Sequence, residues 1–369
     1  MRIMIVKLSS IGDVVHTLPA VAALRRSFPE ANIIWAVGSR ASDIPRNCPV
    51  VDKVIEVTEP AAVDRSLRGP FAGLRERMAE LRNERADIVI DFQGLLKSGL
   101  VAFASGAGRR IGFAPPDLRE RSSAVFLTDQ IPTWHIDHVI DKNLALSAAA
   151  VALLGNGSTG NGCKLSISDA AAEKHAMPSE SRAAAHYSFP LTVSREDERY
   201  VESLVGQSDR RFAIINPGGG WPTKLWQAIR YGQIADWLRT EHQLDSLVTY
   251  GPGEESLADQ VAAASRLGAA RPAPSSLLQF VALARRAALF VGGDTGPLHL
   301  AAACGTPIVG LYGPTSPERN GPFDSSDVSL GRDLWCRSEC HRRSCWHWDC
   351  MEIPVSEVQQ AVSRRLQSA

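Results

Sequence analysis

The feature of this 369-residue chain that most constrains its fold is a repeated alternation of short apolar segments with longer amphipathic ones. In the first half, buried strands are predicted by apolar runs at residues 2–8, 32–37, 53–57 and 87–91. The alternation restarts in the second half, with strands predicted at residues 211–216, 244–250, 288–292 and 307–312. Strands that alternate with helices form parallel, doubly wound sheets, so the sequence predicts two Rossmann-like α/β halves.

The stretch between the two halves lacks this periodicity. Residues 155–194 begin with GNGSTGNG and continue into alanine- and serine-rich sequence, which is typical of a linker with an exposed loop at residues 156–161. We therefore expect an N-terminal domain at residues 1–190, which includes most of this linker, and a C-terminal domain at residues 195–352. An amphipathic pattern predicts a short helix in the last segment, residues 353–369.

Charge and hydropathy argue against a nucleic-acid-binding protein and against a membrane-spanning one. The chain has 40 basic and 40 acidic side chains, so its net charge does not indicate a nucleic-acid partner, and any charged ligand must be held by a local cluster. No segment approaches the ~18 consecutive apolar residues of a membrane-spanning helix. We therefore expect a cytosolic protein whose contact with a membrane, if it has one, is peripheral.

The most informative loop is GGDTGPLHL at residues 292–300, directly after a predicted strand. Pro297 suits the first turn of a helix, so the loop combines flexible glycine backbone with a helix N-terminus. The unpaired N–H groups and positive dipole end of such a terminus suit a diphosphate, and His299 would project toward that ligand. The alternative is an ordinary turn, with Asp294 and Thr295 as helix caps and His299 packed in the interior.

A second glycine-rich loop, NPGGGWPTK at residues 216–224, follows the first predicted strand of the second half. Gly219 and Gly220 permit close approach of the backbone to a ligand. Lys224 supplies a mobile positive charge that could stabilise a leaving diphosphate. By itself this loop favours a simple turn with a solvated lysine, but two such loops in one domain favour a ligand site.

A third loop, YGPGEE at residues 250–255, ends another predicted strand of the second half. It offers Glu254 or Glu255 as an acceptor for ribose hydroxyl groups, as acidic residues do in dinucleotide sites. The open ends of parallel strands are where such sheets bind ligands. The three loops together predict a nucleotide-diphosphate site in the second half.

The first half carries a different loop, KLSSIGDVVHTLP at residues 7–19, between a predicted strand and a helix predicted at residues 14–28. It has one glycine followed by Asp13, and a carboxylate at this position would repel a phosphate. We therefore expect this half to receive the other substrate, where Asp13 could take a proton from a hydroxyl group as a general base. The alternative is helix capping, since Ser9, Ser10 and Asp13 are all cap-forming residue types.

Four cysteines lie close together in the segment CRSECHRRSCWHWDC, at Cys336, Cys340, Cys345 and Cys350. Their spacing lacks the C-x-x-C pair of common zinc sites, which argues against a bound metal but leaves it as an alternative. Because a cytosolic compartment is reducing, free thiols are expected rather than disulfides. Neither ligand loop of the second half has an Asp-x-Asp pair, so no catalytic metal is predicted.

Three of these motifs resemble glycosyltransferase family 9, the bacterial lipopolysaccharide heptosyltransferases. They are KLSSIGDVVHTLPAV, DFQGLLKSG at residues 91–99, and GGDTGPLHLAAACGTPIVGLYGPTSP, and the first two are most similar to the heptosyltransferase I branch. The resemblance implies a GT-B architecture, in which two Rossmann-like domains face each other across an interdomain cleft. It further implies that ADP-heptose is the donor, that the anomeric configuration inverts, that Kdo-lipid A accepts the sugar at the inner face of the inner membrane, and that no cofactor is required.

The resemblance also assigns residues. Asp13 matches the catalytic base, and the donor site is matched by Gly219, Gly220, Lys224, Glu254, Asp294, Thr295, Gly296 and His299. The acceptor side, where Kdo carboxylates and lipid A phosphates need cations, is matched by Lys7, Lys97 and Arg119. In GT-B proteins a C-terminal helix often crosses back to the first domain. The alternatives are a family member with another sugar or acceptor, a nucleotide-sugar epimerase, and a noncatalytic binding protein.

Overall fold

The computed structural model describes residues 1–57, 72–155, 187–206, 211–334, 336, 340, 344–345 and 349–368. The chain divides into two compact units: the described residues up to Thr192 belong to the first and those from Val193 onward to the second. Each unit contains a six-stranded, fully parallel sheet flanked by helices. The predicted α/β class with two Rossmann-like domains is confirmed. Within the described residues, no helix is both long enough and apolar enough to span a bilayer.

The first unit is built from alternating strands and helices. Its strands are β1 (Arg2–Val6), β2 (Asn32–Val37), β3 (Lys53–Glu56), β4 (Ile88–Asp91), β5 (Arg109–Phe113) and β6 (Asp129–Ile131). Its helices are α1 (Ile11–Val15), α2 (Leu18–Ser27), α3 (Asp43–Arg46), α4 (Ala72–Asn83), α5 (Leu96–Ala104) and α6 (Val139–Gly155). The strand order is β3-β2-β1-β4-β5-β6. The central strands β1 and β4 are buried along almost their whole length, as expected for a parallel sheet covered on both faces.

The second unit repeats this plan. Its strands are β7 (Phe212–Asn216), β8 (Asp245–Tyr250), β9 (Ala270–Pro274), β10 (Leu289–Gly293), β11 (Ile308–Tyr312) and β12 (Val328–Gly331). Its helices are α7 (Arg195–Val205), α8 (Ala228–His242), α9 (Glu255–Ala264), α10 (Leu277–Ala284), α11 (Gly296–Ala303), α12 (Pro317–Asn320) and α13 (Val355–Gln367). The strand order is β12-β11-β10-β7-β8-β9, which is the order of the first sheet read from the other edge.

This topology determines where ligands can bind. In each sheet the chain reverses its direction of travel between two neighbouring central strands, β1 and β4 in the first unit and β7 and β10 in the second. The loops that follow these strands diverge and leave a crevice at the carboxyl edge of the sheet, which is where doubly wound sheets bind ligands. The two loops predicted to bind phosphate follow β7 and β10, and the loop that carries Asp13 follows β1.

The observed elements differ from the predicted ones in two ways. The apolar pattern did not predict the short strands β5, β6, β9 and β12. These strands lie toward the sheet edges and carry charged residues, proline or glycine. The single helix predicted at residues 14–28 is two helices, because the chain breaks at Thr17, whose Oγ1 donates to the Asp13 carbonyl at 2.8 Å. The loop predicted at residues 156–161 lies outside the described residues.

Helix α13 belongs to the second unit. Its apolar face, formed by Val358, Ala361 and Val362, is buried in that unit's core. Beyond this face, Arg365 Nε donates to Asp327 Oδ1 at 2.7 Å, and both side chains are buried. The structure therefore groups this helix with the second unit. That it also crosses back to the N-terminal domain, as the resemblance implies, stays a prediction.

Asp327 should make stability depend on pH. Burial raises its pKa to about 6, against the opposing effect of the hydrogen bond from Arg365. A carboxyl whose pKa is higher in the folded state favours folding when it is protonated. The contribution of Asp327 to the free energy of unfolding is therefore present below pH ~4 and is lost as the pH rises through 6. We expect the stability of wild type relative to Asp327→Asn to fall by up to about 3 kcal/mol between pH 4 and 7, measured by urea unfolding. If the difference in unfolding free energy between wild type and Asp327→Asn does not change with pH, the pKa of Asp327 is not raised.

Candidate functional site

In the first unit, Asp13 is the third residue of α1. Its Oδ2 accepts hydrogen bonds from the backbone N–H of Ser10 at 2.9 Å and from Ser10 Oγ at 3.0 Å. Its Oδ1 lies 4.0 Å from Lys7 Nζ, and the side chain is about one third exposed. Asp13 therefore completes a capping box and still presents its carboxylate to solvent. The capping role and the proposed role as a base are compatible.

Lys7 is an internal charge of this unit. It is buried, and its Nζ donates to the Phe92 carbonyl at 2.8 Å, which joins the loop after β1 to the loop after β4. It was predicted as a contact to an acceptor, but this placement gives it little surface for one. Its charge instead acts on Asp13 and on the buried Asp91, whose pKa is raised by burial although Lys7 and neighbouring hydrogen bonds oppose the shift.

The other two predicted acceptor-side cations, Lys97 and Arg119, are exposed. Lys97 lies in the first turn of α5. Arg119 precedes Glu120, whose Oε2 accepts a hydrogen bond from the backbone N–H of Leu96 at 2.7 Å. Both cations therefore lie at the N-terminal end of α5, on the loop side of β4.

In the second unit, Asp294 is the centre of a buried polar cluster. Directly after β10, its Oδ2 lies 2.6 Å from Lys224 Nζ, and its Oδ1 lies 3.1 Å from His299 Nε2 and 2.9 Å from Asn320 Nδ2. Burial alone would raise the pKa of Asp294, but the bonds and charges of His299 and Lys224 outweigh it and hold the pKa far below its usual value. Asp294 is therefore ionised throughout the physiological pH range.

This cluster changes the roles expected for its members. Lys224 is not a mobile charge: its Nζ also donates to the Asp294 carbonyl at 2.8 Å and lies 4.5 Å from the centre of the Trp221 ring. His299 packs against Asp294 in the interior and is only 5% exposed, as the alternative interpretation of this loop expected. Asn320 was missed, because nothing in the sequence relates its position to Asp294.

The N-terminus of α11 lacks a side-chain cap. Thr295 occupies the N-cap position, but its Oγ1 is directed to Asn216 Oδ1 at 3.5 Å and to the Gly293 carbonyl at 3.3 Å. The alternative in which Asp294 and Thr295 cap the helix is therefore wrong. Because Thr295 leaves the first N–H groups of the helix uncapped, they can donate to an anion, beside the fixed charge of Lys224.

Glu254 connects the glycine-rich loop after β7 with the loop after β8. Its Oε2 accepts from the Gly251 N–H at 2.9 Å and its Oε1 from the Gly219 N–H at 3.3 Å. Gly218 permits this approach, since a Cβ there would lie 2.5 Å from Glu254 Oε2, whereas a Cβ on Gly220 would meet nothing within 4 Å. A carboxylate can accept about four hydrogen bonds, so Glu254 keeps capacity for a ligand hydroxyl.

An open cavity of about 450 Å³ lies beside this loop, at the carboxyl ends of β8 and β9. Its walls include Tyr200, Tyr250, Pro252, Pro274 and Ser276. Flat aromatic and proline surfaces with a few polar groups suit a planar heterocycle. No sequence pattern indicated this cavity, because its residues come from three separate segments that only the fold brings together.

The cysteine segment does not form a recognisable metal site in the part that is described. Cys336, Cys340 and Cys350 form no disulfide bond with another described cysteine, and burial raises the pKa of the Cys350 thiol, with nearby thiols adding to the effect. Among the residues that the structure describes, no group of three or more His, Cys, Asp or Glu side chains is placed to hold a metal ion.

Comparison with known proteins decides the family. The model of glycosyltransferase family 9 (heptosyltransferase) matches residues 75–347, well over half of the chain. The chain belongs to glycosyltransferase family 9. As the sequence motifs predicted, this family 9 protein is a glycosyltransferase. It is 28% identical over 355 residues to lipopolysaccharide heptosyltransferase 1 of Pseudomonas aeruginosa, a match that covers 94% of this chain and 87% of that protein.

Two solved structures share the fold of the family 9 enzyme along its whole length. ADP-heptose LPS heptosyltransferase II of Escherichia coli has a TM-score of 0.73 at 19% identity, covering 100% of this chain and 99% of that one. E. coli heptosyltransferase WaaC, solved with ADP-2-deoxy-2-fluoro heptose, has a TM-score of 0.72 at 20% identity, covering 100% of both chains. These likenesses establish that the enzyme shares the architecture of the solved heptosyltransferases.

Proposed function

We propose that this enzyme transfers heptose from ADP-heptose to the Kdo-lipid A inner core of lipopolysaccharide, with inversion at the anomeric carbon. The observation that carries the donor assignment is the uncapped N-terminus of α11 beside Lys224, whose charge is fixed by Asp294. The names of the relatives support the sugar and the pathway, since one is a lipopolysaccharide heptosyltransferase and a structural neighbour was solved with an ADP-heptose analogue.

The donor would lie along the carboxyl edge of the second sheet. Its diphosphate would accept hydrogen bonds from the first N–H groups of α11 and from Lys224. These bonds would stabilise the negative charge that develops on ADP as it leaves. Asp294 acts as a positioning residue that holds Lys224 in place. Glu254 would accept a hydrogen bond from a ribose hydroxyl, and the adenine would occupy the cavity between Tyr200 and Tyr250.

The acceptor would bind the first unit. Its hydroxyl oxygen attacks the anomeric carbon while the bond from that carbon to the diphosphate breaks, and Asp13 takes the hydroxyl proton. A single displacement of this kind inverts the configuration. Lys97 and Arg119 would bind the carboxylates and phosphates of the acceptor. Because this acceptor is anchored by acyl chains, the enzyme would work in peripheral contact with the inner face of the inner membrane.

The test is a transfer assay with purified enzyme, ADP-heptose and Kdo-lipid A. We expect stoichiometric ADP release and a glycolipid whose mass increases by one heptose. Transfer of heptose only to an acceptor that already carries heptose would assign the enzyme to another step of the core. Tight ADP-heptose binding without any product on either acceptor would contradict the proposed function.

The ribose contact gives a prediction with a matched control. We expect Glu254→Gln to weaken ADP binding about tenfold, since the amide has one acceptor oxygen fewer and no charge. Asp259→Asn changes an exposed carboxylate on α9, the helix that Glu254 directly precedes, and should leave ADP binding unchanged. Isothermal titration calorimetry measures both affinities, and equal affinities for the two variants would remove Glu254 from the donor site.

A further inference from the structure

Helix α5 exposes apolar side chains on a face that should be polar. Its exposed residues are Leu96, Lys97, Leu100 and Phe103, and the other five are buried. The three apolar ones have exposed fractions of 44%, 38% and 54% in chain order. They are spaced at i, i+4 and i+7, so they form one stripe along the helix. A surface helix normally carries polar residues opposite its buried face, whereas α5 has apolar residues on both its buried and its exposed face.

The neighbouring 3₁₀ helix, Arg121–Phe126, extends this apolar stripe. The Phe126 ring lies 6.0 Å from the Phe103 ring between centroids, and a Cβ on Gly99 would lie 2.6 Å from Phe126. This close packing places Val125 beside the stripe with 77% of its surface exposed, the largest fraction of any large apolar side chain in the described residues. Contiguous exposed apolar surface of this kind marks an interaction site.

Cations lie at both ends of the apolar stripe. Lys97 lies on the helix itself, and the guanidinium carbon of Arg110 is 5.7 Å from the centroid of the Phe103 ring. Arg119 and Arg121 flank Glu120, and both are exposed at the N-terminal end of the helix. The Glu120 carboxylate is itself engaged by the Leu96 N–H. Since the chain as a whole has a formal net charge of zero, this positive rim is a local feature.

We propose that the first unit docks on an anionic lipid bilayer through the apolar stripe. Leu96, Leu100 and Phe103 enter the boundary between headgroups and acyl chains, and the surrounding cations contact anionic headgroups. An apolar face with a basic rim is the combination that holds proteins in a bilayer interface, and each cation near such a surface contributes ~1 kcal/mol. Its relevance to catalysis rests on the proposed function, because it brings the enzyme to an acceptor that is itself lipid-linked.

The test compares two double variants with wild type in vesicle sedimentation. Leu100→Ser with Phe103→Ser removes the middle and end of the stripe. Ile229→Ser with Leu267→Ser is the matched control, since these residues are 58% and 53% exposed but lie in the second unit. Vesicles of phosphatidylcholine alone and of phosphatidylcholine mixed with phosphatidylglycerol provide neutral and anionic surfaces.

We expect wild type and the control to bind anionic vesicles better than neutral ones, and less well as salt increases. The stripe variant should bind anionic vesicles at least about tenfold more weakly. Failure of wild type to bind, or equal binding by all three proteins, would overturn the proposal. So would a stripe variant that binds vesicles normally but changes from dimer to monomer in light scattering, because the stripe would then join two copies of the chain.

Transfer assays separate this inference from the proposed function. With a deacylated, water-soluble acceptor, the stripe variant should turn over as fast as wild type, and with acceptor embedded in vesicles it should be slower. If wild type transfers heptose to neither acceptor but the vesicle results are as expected, the proposed function fails and the docking surface stands. If wild type transfers to both and the vesicle results fail, the docking surface alone is wrong.

Discussion

Replacing Asp13 with asparagine is expected to lower the rate of heptose transfer by about 10²- to 10⁴-fold, because the acceptor hydroxyl loses its general base. The affinity for ADP-heptose should not change, since the donor is assigned to the other unit. Stability should also be preserved. The Ser10 N–H that now bonds Asp13 Oδ2 at 2.9 Å can bond an asparagine oxygen equally well.

Ser10→Ala provides the control for Asp13→Asn. It removes the hydroxyl that donates to Asp13 at 3.0 Å and leaves the carboxylate in place. A small loss of rate in Ser10→Ala and a large one in Asp13→Asn would separate the base from the cap. If Asp13→Asn transfers heptose as fast as wild type, Asp13 serves only to cap α1 and the proposed mechanism is wrong.

Replacing Lys224 with methionine is expected to affect both stability and donor binding. It leaves the Asp294 carboxylate, which is 3% exposed, without its closest cation, and breaking a buried ion pair in this way costs about 3–5 kcal/mol of unfolding free energy. It also removes the cation assigned to the diphosphate, so ADP-heptose should bind at least about tenfold more weakly. Urea unfolding and calorimetry measure the two effects.

A double variant separates these effects. In Lys224→Met with Asp294→Asn no charge is buried without a partner, so most of the lost stability should return. Donor binding should stay weak, because the cation is still missing. Should the double variant bind ADP-heptose as tightly as wild type, Lys224 would be a structural residue only, and the diphosphate would have to be held elsewhere.

The sequence predicted the fold where the signal is local. The central strands are continuous apolar runs, and the motifs lie directly after them, so strand pattern and turn chemistry together placed the quoted loops at the ends of these strands. The strands β5, β6, β9 and β12 were missed because charges, proline or glycine interrupt their apolar pattern. At the break between α1 and α2, Asn143 of α6 donates to the His16 carbonyl at 3.0 Å, a contact across 127 positions that no local pattern indicates.

Side-chain partnerships were less predictable than the loops that carry them. Lys224 and Asp294 lie 70 positions apart, and their pairing turns a mobile charge into a fixed one. His299 faces Asp294, and the cluster around that carboxylate also includes Asn320, which no motif indicated. The apolar stripe of α5 was overlooked because Leu96, Leu100 and Phe103 match the pattern of a core-facing helix, and only the structure shows that this face is exposed.

The anomeric configuration of the heptose after transfer, determined by NMR of the glycolipid that wild type makes from ADP-heptose, shows whether the sugar is transferred in a single displacement. In the proposed mechanism Asp13 deprotonates the acceptor while Lys224 and the N-terminus of α11 stabilise departing ADP, and such a single displacement must invert the configuration. An inverted glycosidic bond is therefore the predicted result. A product that retains the configuration of the donor would contradict the mechanism, whatever the effect of replacing Asp13.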